Sequence, residues 1–115
     1  LLDSNEKRQI FLKQVVHQLH LPNVQLYCTR VENFNASFKF SCIVARAFKP
    51  LAEMLRLVQH LLSSDGSIVA MKGKIEEKEL KEIDPKFKID RIITLQNTSQ
   101  APQRHLIIIK FEQTT

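Results

Sequence analysis

Two stretches of this chain share one design, and that design leaves few folds open. Residues 41–50, SCIVARAFKP, run apolar, place Arg46, and then reach Pro50. Residues 66–74, GSIVAMKGK, run apolar and then place Lys72. Short apolar runs of this kind read as strands buried on both faces. Between them, Pro50 suits the first turn of a helix. Leu51, Leu55, Val58 and Leu62 recur at the spacing of one helical face, which Met54 and Leu61 widen. Residues 63–66, SSDG, then end that helix in a glycine turn. Strand, helix, strand predicts a parallel crossover in an α/β sheet. In such sheets ligands bind outside the carboxyl ends of the strands, so Arg46 and Lys72 are expected to face one shared site.

The flanks extend the pattern. Leu1, Leu2 and Asp3 read as the end of a buried strand, and Asp3 or Ser4 as the cap of a helix over residues 5–20. Ile10, Phe11, Val15, Val16 and Leu19 make its apolar face, and Pro22 stops it. Residues 24–28, VQLYC, read as a short strand, followed by a polar connection over 29–39. Residues 75–83 read as a short helix whose EEKEL run is a solvated face. After a turn at Asp84-Pro85, Phe87, Ile89, Ile93 and Leu95 alternate along a strand. A connection over 97–103 leads to a last strand, HLIIIKF, at 105–111. The whole is an α/β sheet closed by a carboxyl-terminal hairpin. Phe34, Phe38 and Phe48 are expected in the core.

Composition excludes several classes of function. There are two glycines, Gly66 and Gly73, so no glycine-rich cofactor loop can be assembled from these residues. The two cysteines, Cys28 and Cys42, form no CxxC pair and are expected as buried reduced thiols of a cytoplasmic protein. His17, His20 and His60 have no partners at metal-ligand spacing, so no metal is expected. No apolar run is long enough to span a bilayer, and the amino terminus lacks the order of a signal peptide. The net charge of +5 fits either a solvated basic surface or an anionic partner, RNA before membrane.

A set of blocks, taken in order, carries a resemblance. They are LLDSNEKRQIFLKQVVHQL, TRVENF, ARAFKPLAEML, AMKGK with EEKEL behind it, and QRHLIIIK. Together they resemble the carboxyl-terminal half of the ribosomal RNA small-subunit methyltransferase G family. The resemblance covers essentially the whole chain. It implies a Rossmann-like class I methyltransferase sheet whose amino-terminal part, the first strand and glycine loop, is missing. Residues 1–115 are then the carboxyl-terminal portion of a single methyltransferase domain. It also implies S-adenosylmethionine as cofactor, N7 of a guanine in bacterial 16S rRNA as acceptor, and the small ribosomal subunit as partner of a monomer. The chain departs from the family pattern at Asn5-Glu6, where a leucine-glycine pair is common, and at Gln103, where an acidic residue is common.

The resemblance assigns roles residue by residue. Arg46 and Lys72 become catalytic candidates, and Arg46 also touches the cofactor. Asp3 lies near the ribose, with Val31 and Glu32 beside the adenine. Lys7, Arg8, Arg30, Arg104 and His105 become candidates for the RNA surface. Each has a plainer alternative: a surface ion pair for Arg46, a solvated lysine for Lys72, caps for Asp3 and Glu32, and a structural imidazole for His105. At the level of the chain, the alternative is a non-catalytic basic α/β fragment that binds RNA or a protein partner.

Overall fold

The computed structural model describes residues 1–46, 50–95 and 103–112. Phe48 and most of the 97–103 connection lie outside the described residues. The chain divides into two units, Leu1–Asn35 and Ala36–Thr115.

In the first unit, helix α1 spans Glu6–Leu19. Asn5 caps it, its side chain accepting the Arg8 N–H at 3.0 Å. Asp3, an expected cap, stands two residues outside: its carboxylate accepts the Asn5 N–H at 2.9 Å and grips the Arg8 guanidinium. Leu2 pairs with Tyr27 in a single parallel bridge, so the strand expected at 24–28 shrinks to one residue pair. Gln9, buried, ties helix to bridge by donating Nε2–H to the carbonyls of Asp3 and Tyr27. The expected apolar face of α1 is not buried in this unit: Ile10, Phe11 and Leu19 are each more than half exposed. The chain leaves the helix through His20, which takes the left-handed conformation at φ 52°.

The second unit is a sheet. Strand β1 is Phe40–Arg46, α2 is Leu51–Val58, and β2 is Leu62–Lys72, with a 3-10 turn at Gln59–Leu61 between the last two. Helix α3 is Glu77–Lys81, β3 is Phe87–Thr94 and β4 is His105–Phe111. The strand order is β1-β2-β4-β3. β1 and β2 are parallel, as the crossover predicts, and the two later pairings are antiparallel. One face of the sheet is buried along its two central strands, β2 and β4. Ile68 pairs with Ile109 and Ala70 with Ile107, all at 0% exposure. Leu51, Met54, Leu55 and Val58, the apolar stripe of α2, complete this core. Phe87 stacks on Phe111 at 5.2 Å and closes the hairpin.

Four expectations fail in this unit. β1 is an edge strand, not a strand buried on both faces: Val44 is 59% exposed. Cys42 lies on it and is exposed, as is Cys28 in the first unit, so neither thiol is buried. Phe38 is 63% exposed, in edge contact with Phe40, and so is not core. The glycine turn expected at 63–66 is instead part of β2. The register jumps from Phe40↔Leu62 to Cys42↔Ser67, and β2 bulges between them. Gly66 is required there by space: a Cβ would stand 2.8 Å from Ser63 Oγ and 3.0 Å from the Phe40 carbonyl oxygen.

Candidate active site

Parallel strands end on the same side. β1 and β2 therefore deliver Arg46 and Lys72 to one end of the sheet, beside the start of β4, where Lys72 pairs with His105. A cleft of about 580 Å³ opens there. Arg46, Lys72, Lys74, Arg104 and His105 line it, with Met71, Gly73, Leu95 and Leu106 as its less polar walls. Among the described residues no carboxylate lines it. The site is thus a pocket of fixed positive charge, suited to phosphate oxygens or to an electron-rich base edge.

The cations differ in how they are held. Arg46, Lys74 and Arg104 are exposed. Lys72 is largely covered and ion-paired with Glu79 of α3, whose side chain is also covered. His105 Nδ1 lies 2.5 Å from the Gly73 carbonyl oxygen. A carbonyl only accepts, so Nδ1 carries the proton and donates, and Nε2 is the ring nitrogen left free of that bond. This fastens the glycine turn after β2 to the first residue of β4.

The remaining candidates belong to the first unit. Asp3 holds Arg8 through Nε at 2.8 Å. The Asn5 N–H first, and the Arg8 guanidinium second, keep the Asp3 carboxyl below the usual carboxylate range. Val31, half-buried, opens the 3-10 turn Val31–Asn33, and Glu32 lies 3.8 Å from Arg30. Lys7 points to solvent on α1. The carboxylates Asp3 and Glu32 are acceptors of the kind that ribose hydroxyls and an adenine amino group need, so their chemistry suits an adenosine moiety. Among the described residues no three His, Cys, Asp or Glu side chains converge on a metal site, and no helix is long and apolar enough to cross a membrane.

Two residues of the cleft region escaped the sequence reading. Lys74 had a signal, since it follows Lys72 at the same strand end. Glu79 had a fainter one. It sits in a charge run expected to be solvated, but α2 opens on a proline with no side chain to cap it. A missing cap calls for an acceptor from elsewhere.

Comparison with known proteins places this geometry. The chain is 39% identical over 107 residues to a ribosomal RNA small subunit methyltransferase G of Laribacter hongkongensis, covering 93% of this chain and 52% of that protein. It is 39% identical over 110 residues to the protein of the same name from Actinobacillus succinogenes, covering 96% of this chain and 52% of that one. The chain thus spans about half the length of the curated relatives it matches. Among solved structures it superposes on an rRNA methylase from Streptococcus thermophilus with a TM-score of 0.71 at 17% identity, over 97% of this chain and 72% of the other. It superposes on TrmN from Thermus thermophilus with a TM-score of 0.74 at 15% identity, over 96% of this chain and 35% of the other. At these identities the likeness speaks for the fold, a Rossmann-like methyltransferase sheet. The model of the rRNA small subunit methyltransferase G family matches residues 1–107, and the chain belongs to that family.

Proposed function

We propose that this chain is the carboxyl-terminal portion of a methyltransferase domain that transfers a methyl group from S-adenosylmethionine to N7 of a guanine in 16S rRNA. The observation that carries the reading is the carboxylate-free basic cleft at the ends of β1 and β2, in a chain of this family. On this reading the protein acts in the cytoplasm as a monomer on the small ribosomal subunit or its RNA.

The chemistry suits the residues. Guanine N7 carries a free lone pair, so no proton has to leave before it attacks, and no general base is needed. S-adenosylmethionine, when bound, supplies an electrophilic methyl on a sulfonium. Asp3 would hold its ribose, and Val31 and Glu32 its adenine. Arg46, exposed at the end of β1, can stack on the base or clamp a neighbouring phosphate. Arg104 and Lys74 add phosphate contacts at the cleft, and Lys7, Arg8 and Arg30, in the first unit, would be RNA contacts of their own. The rate then rests on positioning and on a prearranged field. The target guanine must be unstacked or in a loop to reach the cleft.

The test uses a full-length family protein carrying this sequence. Arg46→Ala is expected to lower single-turnover methyl transfer to unmethylated small subunits by about a hundredfold. An unchanged rate would remove Arg46 from the site. Residues 1–115 alone are expected to show no S-adenosylmethionine binding by calorimetry; tight binding would show that no further cofactor loop is needed. RNA binding without methyl transfer by the full-length protein would replace this reading with that of a non-catalytic RNA-binding module.

A further inference from the structure

The EEKEL run behind the cleft contains one carboxylate that is not solvated. The Glu79 side chain is 13% exposed and pairs with Lys72, itself 18% exposed. The same oxygen, Oε1, accepts the backbone N–H of Leu51 at 3.1 Å, across 28 positions of sequence. Leu51 opens α2, and Pro50 before it provides no side-chain cap. A helix start carries unsatisfied N–H groups and a partial positive charge. Glu79 answers both. Since α2 is the crossover between β1 and β2, one carboxylate fastens the start of that crossover to the last residue of β2.

We infer that Glu79 is a positioning residue of the cleft, which holds the Lys72 ammonium in place and withholds it from phosphate. The inference rests on the reading of the cleft as an RNA methyl-transfer site. Lys72 and Glu79 together carry no net charge, so the pair releases no counterion when RNA binds. Arg46, Lys74 and Arg104, all exposed, are left as the cleft's phosphate contacts.

The experiment measures RNA affinity against salt, and single-turnover methyl transfer, in the full-length protein with unmethylated small subunits. Glu79→Gln keeps an oxygen for the Leu51 N–H and frees the Lys72 charge. The slope of log affinity against log salt is expected to steepen by about 0.7 to 0.9, the increment of one added phosphate contact. Methyl transfer is expected to fall on the order of tenfold while KM stays level or drops, because the ground state gains a contact as the geometry loosens. The double variant Lys72→Met with Glu79→Gln removes both charges and is expected to keep the wild-type slope. A slope flattened by one phosphate in the double variant would make Lys72 a free phosphate contact and overturn the inference. So would Glu79→Gln with wild-type rate and slope, or with a rate lost only in proportion to its folded fraction. If Glu79→Gln does not fold, the slope of Lys72→Met, with Glu79 kept as cap, decides: a flattening beyond one phosphate's increment is inconsistent with a withheld charge. If the wild-type protein transfers no methyl group, the proposed activity falls, and the slopes alone still decide what Lys72 does.

Discussion

β1 and β2 run parallel, in register from Cys42↔Ser67 to Arg46↔Met71, and each delivers a cation to the cleft. Their sequences look interchangeable, yet their surroundings differ. β2 has neighbours on both sides, and its Ile68 and Ala70 are fully buried. Among the described residues β1 has one neighbour, and its Val44 is 59% exposed. The cations follow their strands: Lys72 is covered and paired, Arg46 is open to solvent. Apolar content thus says that a run is a strand, while strand order says how much of it is buried. Strand order is a property of the whole sheet.

The contrast breaks or holds first on a pair of truncations. Ile68→Ala, at a fully buried site, is expected to cost about 2–5 kcal/mol. Val44→Ala is expected to cost no more than about 0.5 kcal/mol in this chain, as surface changes do. Urea unfolding of both variants of residues 1–115 measures the difference. Equal losses would mean that β1 is covered.

Next comes the bulge that lets the two strands meet. Gly66→Val places carbon against Leu62 Cδ1 and the Phe40 carbonyl, at 2.7 and 3.0 Å for the first added atom alone. Overpacking of this kind costs about 1–3 kcal/mol. Because the clash lies between β1 and β2, the loss is expected to appear as earlier exchange of the β1 amides, read by hydrogen exchange. A loss spread evenly over the sheet would place the strain elsewhere. The exposure of β1 has a chemical readout as well. In Cys28→Ser, Cys42 is the remaining thiol, and it is expected to react with a thiol reagent in the native chain within about tenfold of its rate in the unfolded one. Full protection would contradict an open edge.

Much of this was legible in the chain itself. The period of Leu51, Leu55 and Val58 marks α2, though its expected fourth member, Leu62, instead opens β2, and HLIIIKF marks β4 to the residue, because both signals are local. The meeting of Arg46 and Lys72 was legible from one crossover, since parallel strands end together. What escaped depends on distant partners. The openness of Val44 and Cys42 follows from strand order. Asn5 displaces Asp3 as cap because Arg8 reaches back to grip Asp3. Glu79 looks like its neighbours Glu76 and Glu77, and only the fold brings it to Leu51 and Lys72. The roles of Val31, Glu32 and Arg30 came from resemblance alone, because nothing in a short polar turn identifies a ligand.

The smallest effect concerns the ion pair of Asp3 and Arg8, which sharpens the contrast between covered and open charge. Asp3 and Arg8 meet at the surface, with the arginine side chain 67% exposed and the aspartate 24%. Salt screens such a pair, and its contribution is small. The Asp3 carboxyl is still held low, first by the Asn5 N–H and then by Arg8. A carboxylate whose folded pKa lies below its unfolded one adds stability in full above the unfolded value, about 4, and loses it as pH falls through the folded value. Asp3→Asn is therefore expected to lower stability slightly at neutral pH and not at all at the acid end. The two curves should converge only below about pH 4. Because the backbone hydrogen bond leads, Arg8→Gln should remove the smaller share of the difference, and added salt should erase that share alone. Stability against pH in low and high salt measures both shares. A difference abolished entirely by salt would put Arg8, not the Asn5 N–H, in first place.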